Sequence, residues 1–207
     1  MTRIFLPESW RGRAIVIGDA IFSDGWFSES ELAASQQFKL QKRRTEWKHG
    51  RLAVKQLAIE LGLCQSARDC VFDRPRLLVR GADAQRFVSI SHSGGYAAAA
   101  IDVEPVGIDV EELRDLREDA SHLFLTDEET AIMRDCAIED RMLHFWAAKE
   151  AVWKQRHGET QTLKRTPIAF ETESTSGLRF REVETYATED VIVALTRPTS
   201  AADSSRR

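Results

Sequence analysis

Cysteine is scarce in this chain, with three residues in 207: Cys64, Cys70 and Cys136. An odd number without metal-site spacing excludes a disulfide framework and predicts unpaired, buried thiols in a reducing compartment. Long apolar runs are missing as well. No stretch approaches the ~18 residues of a membrane span, and the opening MTRIFLPESW lacks the apolar core of a signal peptide. The expectation is a soluble cytoplasmic protein without a membrane partner. Positive charge is in deficit: 29 Lys and Arg stand against 33 Asp and Glu, for a net charge of −4. That balance argues against a nucleic-acid partner. Nor is there an internal repeat at a fixed period or a low-complexity linker.

Hydrophobic residues make up 43% of the chain, enough for one good-sized core or two small halves. AIVIGDA reads as a strand. SESELAAS starts a helix that Ser28 or Ser30 can cap, with Glu31 in its first turn. Helical spacing of Trp47, Leu52, Leu57 and Leu61 runs on to a stop at Gly62. CVFDRPRLLVRGADAQ, broken by Pro75 and Gly81, reads as turn-rich. RFVSIS, YAAAAIDV and VGIDVEE follow as strands, the first two separated by Gly94 and Gly95 as in a hairpin. Thr126 and Glu129 have capping-box spacing. A helix over HFWAAKEAVWKQ and the strand-like runs PIAFE, LRFREV and DVIVALT complete an α+β pattern, before a small polar tail expected to be disordered.

Four constellations carry chemistry. In a strand, Asp109 and Glu111 share one face while Ile108 and Val110 turn to the other. Paired carboxylates suit Mg²⁺ beside a phosphate, although a solvated strand end would read the same. On the helix, Trp146, Glu150 and Lys154 fall along nearly one line, so Glu150 and Lys154 can pair. Glu150 is then a candidate third metal ligand and Lys154 a phosphate neighbour. Lys149 points elsewhere on the wheel, as a surface or packing residue. Ser91, His92 and Ser93 sit where a strand meets a glycine turn, suited to donating to an anion or to structural hydrogen bonding. Arg43, Arg44, Arg51 and Lys55 crowd one helical region. They form a solvated face or a phosphate-binding one.

Taken in order, SISHSGGYAAAAIDVEPVGIDVEE, LFLTDEE and FWAAKEAVWK resemble the 4′-phosphopantetheinyl transferases of the surfactin-synthetase-activating type. Gly107 to Glu111 match that family's Gly-hydrophobic-Asp-x-Glu strand, and Trp146 to Lys154 its Trp-x-x-Lys-Glu-x-x-x-Lys helix. RRTEWKHGR is similar to its N-terminal arginine helix, and Ser91-His92 to its Ser-His element. One departure lies after the lysine helix, where HGETQTL replaces a Gly-x-Gly-Leu-like turn.

The resemblance implies two similar α+β halves related by a pseudo-twofold axis. These would be an N-terminal half over residues 1–100, a C-terminal half over 101–197 and a tail over 198–207, in a monomer. It implies transfer of 4′-phosphopantetheine from coenzyme A to a serine of an apo acyl or peptidyl carrier protein, releasing adenosine 3′,5′-bisphosphate. Asp109, Glu111 and Glu150 would hold Mg²⁺, or Mn²⁺ in its place. Asp109, Glu150 and Lys154 would be catalytic, and Arg43 (or Arg44), Arg51, Arg74, Ser91, His92 and Lys154 would bind coenzyme A. Arg114 and Arg117, near Leu113, Leu116, Leu123 and Phe124, would face the acidic carrier, unless they are merely surface charges. Two other readings of the same residues stand beside this one: a metal-dependent phosphodiesterase and a non-catalytic binding module.

Overall fold

Alternation and capping signals in the sequence become two antiparallel sheets, each with its own pair of helices. The structure, a computed structural model, describes residues 2–18, 23–73, 76–79, 86–116, 118–156 and 162–198. Arg74, Pro75, Gly81, Arg117, Gly158 and the segment 199–207 lie outside the described residues. The chain divides into two compact units, Met1–Val103 and Glu104–Arg207. No helix among the described residues is long and apolar enough to cross a membrane.

Unit 1 contains β1 (Thr2–Ile4), β2 (Ala14–Gly18), α1 (Glu29–Gln36), α2 (Gln41–Glu60), β3 (Cys70–Asp73), β4 (Arg76–Val79), β5 (Arg86–Ser93) and β6 (Tyr96–Asp102). Its sheet order is β1-β2-β6-β5-β4-β3. Ser28, not Ser30, caps α1. Its hydroxyl accepts from the Glu31 N–H, and the Glu31 carboxylate accepts from the Ser28 N–H, satisfying two of the helix's orphan donors. α2 ends where Gly62 takes φ 66°, a left-handed stop that costs glycine nothing. Gly94 and Gly95 both have positive φ, as a two-residue hairpin turn demands. Leu52, Leu57 and Ala58 of α2 pack on Ile15, Ile17, Ile90 and Ile101 of the sheet. Burial of each large aliphatic side chain there is worth about 1.5–3 kcal/mol.

Unit 2 contains β7 (Ile108–Glu112), α3 (Asp127–Asp135), α4 (Arg141–Gln155), β8 (Phe170–Ser174), β9 (Gly177–Phe180), β10 (Val183–Ala187) and β11 (Val191–Thr196), with sheet order β7-β11-β10-β9-β8. Thr126 and Glu129 form the anticipated capping box on α3. Phe145, Ala148, Ala151 and Val152 of α4 pack on Leu178, Phe180, Ile192 and Ala194.

Apart from β1, the two units share one topology: a strand, two helices, then four strands, laid out in the same sheet order. The registers agree too. Ala14 pairs with Ala100 and the Ile101 N–H donates to the Arg13 carbonyl; Ile108 pairs with Leu195 and the Thr196 N–H donates to the Gly107 carbonyl. The same number of positions separates Ala14 from Ile108 and Lys55 from Lys149. This is the likeness of two α+β halves that the family resemblance implied.

Three local expectations are corrected. CVFDRPRLLVR is a β3–β4 hairpin rather than a turn-rich coil, because Pro75 falls between the strands. LRFREV divides between β9 and β10. Thr2–Ile4, which carried no strand signal, pairs with β2 at the sheet edge. The three cysteines are free and buried as anticipated. The Cys70 thiol is pushed up to about 12, first by burial and then by the neighbouring Cys64.

Candidate active site

Position 107 decides how closely α4 can approach β7. A β-carbon there would stand 1.8 Å from the Ala151 carbonyl oxygen, inside α4, so only glycine fits. The Gly107 N–H donates to the Thr196 hydroxyl at 2.8 Å, which ties the start of β7 to β11. Directly beyond, β7 sends Asp109 and Glu111 to the helix side, while Ile108 and Val110 are buried on the other. Asp109 is only 2% exposed. The alternative of a solvated strand end is therefore set aside.

Each acidic side chain meets a group from α4 or the adjoining chain. Lys154 Nζ lies 2.6 Å from Asp109 Oδ1 and 3.4 Å from the Ile108 carbonyl. Glu150 Oε2 is 4.0 Å from the same ammonium. The Trp146 indole N–H donates to Glu111 Oε1 at 2.9 Å, and Arg114 Nη2 reaches Glu111 Oε2 at 2.8 Å. The Trp146 ring is steadied edge-on against Phe124, with centroids 5.0 Å apart. The line Trp146, Glu150, Lys154 thus runs along the carboxylate row of β7, one helical turn per contact.

The electrostatics follow from this crowding. Burial pushes the Glu150 carboxyl above its ordinary value, Lys154 draws it back, and Asp109 and Glu111 each push it up again. Three carboxylates that act on one another form an oxygen-only donor set, the kind a hard divalent cation takes. Among the described residues no group of three or more His, Cys, Asp or Glu is already arranged around a metal-sized gap. Lys154 stands on Asp109, and Trp146 and Arg114 occupy Glu111. The donor chemistry fits Mg²⁺, with these cationic neighbours as what it must displace.

Lys149 corrects the helical-wheel reading. It is not a surface residue: its side chain is fully buried, with Nζ 2.6 Å from Glu129 Oε2 and donating to the Leu163 carbonyl at 3.2 Å. Burial lowers its affinity for a proton, and the Glu129 carboxylate opposes that loss. Glu129 also accepts the Thr126 and Ile168 N–H groups, so one carboxylate joins α3, α4 and the approach to β8. Unit 1 repeats the device. Lys55, also fully buried, lies 3.0 Å from Glu31 Oε2 and donates to the Ala67 and Cys70 carbonyls. A polar residue on an apolar helix face was the available signal, and counting charge as solvated face hid it. His144 was also missed. It is buried, with Nδ1 2.7 Å from the Thr185 hydroxyl, and burial drives it down to about 4.

The residues expected to bind coenzyme A lie in unit 1. Arg43 is exposed and pairs with Glu46 at 3.2 Å. Arg51 lies 3.8 Å from Glu31 and stacks 3.3 Å over the Trp47 ring. Arg44 instead turns to the Phe38 carbonyl at 3.1 Å. Ser91 and His92 are neighbours on β5 and so project to opposite faces, Ser91 buried and His92 exposed. Arg74 lies outside the described residues. Arg114 is engaged by Glu111 as well as half exposed, and Phe124 is core rather than docking surface.

Residues 105–196 match the sequence model of the 4′-phosphopantetheinyl transferase superfamily. The match spans unit 2 and takes in Gly107, Asp109, Glu111, Trp146, Glu150 and Lys154. No curated protein gives a significant match to the chain.

Proposed function

We propose that the chain is a 4′-phosphopantetheinyl transferase of the surfactin-synthetase-activating type, working as a cytoplasmic monomer. It moves the phosphopantetheine arm of coenzyme A onto a serine of an apo acyl or peptidyl carrier protein. One observation carries the reading. Lys154 Nζ stands 2.6 Å from Asp109 with Glu150 a turn before it, inside the segment that matches the superfamily. A pseudo-twofold pairing of the halves with coenzyme A between them is part of the same proposal, supported by their shared topology.

Asp109, Glu111 and Glu150 would hold Mg²⁺, which supplies Lewis-acid polarisation of the diphosphate and a template for it. The carrier serine oxygen attacks the β-phosphorus of coenzyme A. Its bond to phosphorus forms as the bond from that phosphorus to the bridging oxygen breaks, and adenosine 3′,5′-bisphosphate leaves. Glu150 accepts the serine proton; its raised pKa makes it a better base than an ordinary carboxylate. Lys154 faces the charge that gathers on the leaving phosphate. Packing of Trp146 and Phe145 holds the helix, so these groups need little reorganisation. Arg43 and Arg51 receive the 3′-phosphate through charge-assisted hydrogen bonds, with His92 as a further donor.

The test is incubation with coenzyme A, Mg²⁺ and a panel of apo carrier proteins, read by intact mass. Gain of one phosphopantetheine on carrier serine is the expected result. Hydrolysis of coenzyme A without carrier modification would mean a phosphodiesterase, and no turnover would mean a binding module.

A further inference from the structure

The ion pair between Arg114 and Glu111 does not follow from the proposed chemistry. A residue meant to ligate a cation has one oxygen taken by the Trp146 indole and the other by a guanidinium at 2.8 Å. The indole is neutral and lies in the line of α4. Arg114 brings a full positive charge to the place a metal ion would occupy. Resting on the proposed function, we infer that Arg114 is the counter-ion a divalent cation displaces from Glu111, and that its second seat is the acidic cavity beside it.

Three observations carry this. Arg114 follows β7 in an irregular stretch of chain and is 46% exposed, whereas Glu111 is 12% exposed, so the arginine is the partner free to leave. It also lines a cavity of about 370 Å³, together with Asp115, Glu139, Asp140, Leu116 and Met133. Within that cavity Asp140 lies at the start of α4 with φ 51°. Its carboxyl is pushed up by burial, then by Glu139 and Asp115, which is the state of an acidic cluster short of positive charge. A guanidinium leaving Glu111 therefore has acceptors on the opposite wall of its own cavity, and its alkyl stem can stay on Leu116 and Met133. The ligand-free site is charge-matched as it stands, with Lys154 on Asp109 and Arg114 on Glu111. The entering cation removes one match, and the cavity supplies another.

The two seats predict opposite effects on metal affinity. Mg²⁺ and Mn²⁺ are titrated calorimetrically into the full chain without coenzyme A, across four variants. Arg114→Ala should bind the metal about fivefold more tightly, the order expected when one partly exposed competing charge is removed. Arg114→Lys, which keeps the charge, should stay near wild type. Glu139→Gln with Asp140→Asn should bind more weakly, and that weakening should vanish when combined with Arg114→Ala. Glu111→Gln is the control. If it weakens metal binding and Arg114→Ala brings no gain, the inference is overturned and the metal site stands. If Glu111→Gln changes neither binding nor transfer, the proposed function itself is at fault. Equal weakening by the cavity variants in both backgrounds would show a plain field effect and remove the second seat.

Discussion

The two units differ least in topology and most along one row of their sheets. On the helix-facing side, unit 1 sets Ile15, Ala99 and Ile90 across three strands, and unit 2 sets Asp109, Ala194 and Thr185 in the same places. The next row over exchanges Ile17 for Glu111. On the helices, Leu52, Gln56 and Glu60 of α2 stand where α4 has Trp146, Glu150 and Lys154. Even the close contact of Gly50 with Ile90 has a polar counterpart in the His144–Thr185 hydrogen bond. What stays the same is the frame: a capping box whose glutamate holds a buried lysine. Chemistry was installed in unit 2 by changing the face between strand and helix while the ties at the frame's edge were kept. In unit 1 that face is core.

The sharpest way to break this contrast is to exchange loss of function for loss of packing. Asp109→Ala should lower kcat/KM for carrier modification at least about a thousandfold, the order of losing a charged group used in the transition state, and leave urea stability within about 1 kcal/mol. Ile15→Ala, its unit 1 counterpart, should cost about 2–5 kcal/mol in urea and leave kcat little changed. Near-normal turnover by Asp109→Ala at saturating Mg²⁺ would remove the site from unit 2.

The shared frame predicts likeness where the first test predicts difference. Lys149→Met and Lys55→Met each strand a buried carboxylate and should each destabilise by about 3–5 kcal/mol. Adding Glu129→Gln to the first and Glu31→Gln to the second should return part of that loss in both units. Urea melts of the four variants decide it. If only one unit responds, the two frames are not equivalent.

Acid should separate the units again. His144 drops to about 4 in the folded chain from an ordinary 6.5. The unfolded state therefore binds the proton first, and stability falls as pH drops from about 6.5 to about 4, levelling below that. The loss is on the order of 3 kcal/mol. His144→Leu should flatten the stability–pH curve in that window, whatever its stability at pH 7. An unchanged slope would mean that other groups set the acid limb.

The smallest expected effect tests whether unit 1 has any part in the chemistry. Wild type should prefer coenzyme A to dephospho-coenzyme A by about tenfold or more, one charge-assisted contact's worth. Arg43→Ala with Arg51→Ala should erase most of that preference, mainly through weaker activity with coenzyme A. Equal discrimination by the variant would leave Arg43 as a partner of Glu46 alone and Arg51 as one of Glu31 and Trp47.

The catalytic row was legible because it rests on two local periods. Strand alternation put Asp109 with Glu111, and the helical repeat aligned Trp146, Glu150 and Lys154. The capping box at Thr126 was equally local. The unit-to-unit likeness was not legible, since paired positions share geometry and not residue type, as Ile15 and Asp109 do. Lys149 and Lys55 were misjudged or passed over because a charged residue on a wheel reads as solvated, and only the fold brings Glu129 and Glu31 to them. The β3–β4 hairpin hid behind Pro75, which sits between the strands. Arg114 looked like a docking charge because nothing in its neighbourhood says that it folds back onto Glu111.

Gly107 carries a consequence for heredity. Any single-base change that alters a glycine codon installs a β-carbon or stops the chain, and a β-carbon here lands 1.8 Å from the Ala151 oxygen. The codon at this position therefore has no neutral neighbour among altered residues, and drift away from it is closed in one step. Arg13, the matching position of unit 1, carries a full side chain and pairs with Asp102 at 2.6 Å. Lineages of this protein can wander at one of these two equivalent points and not at the other.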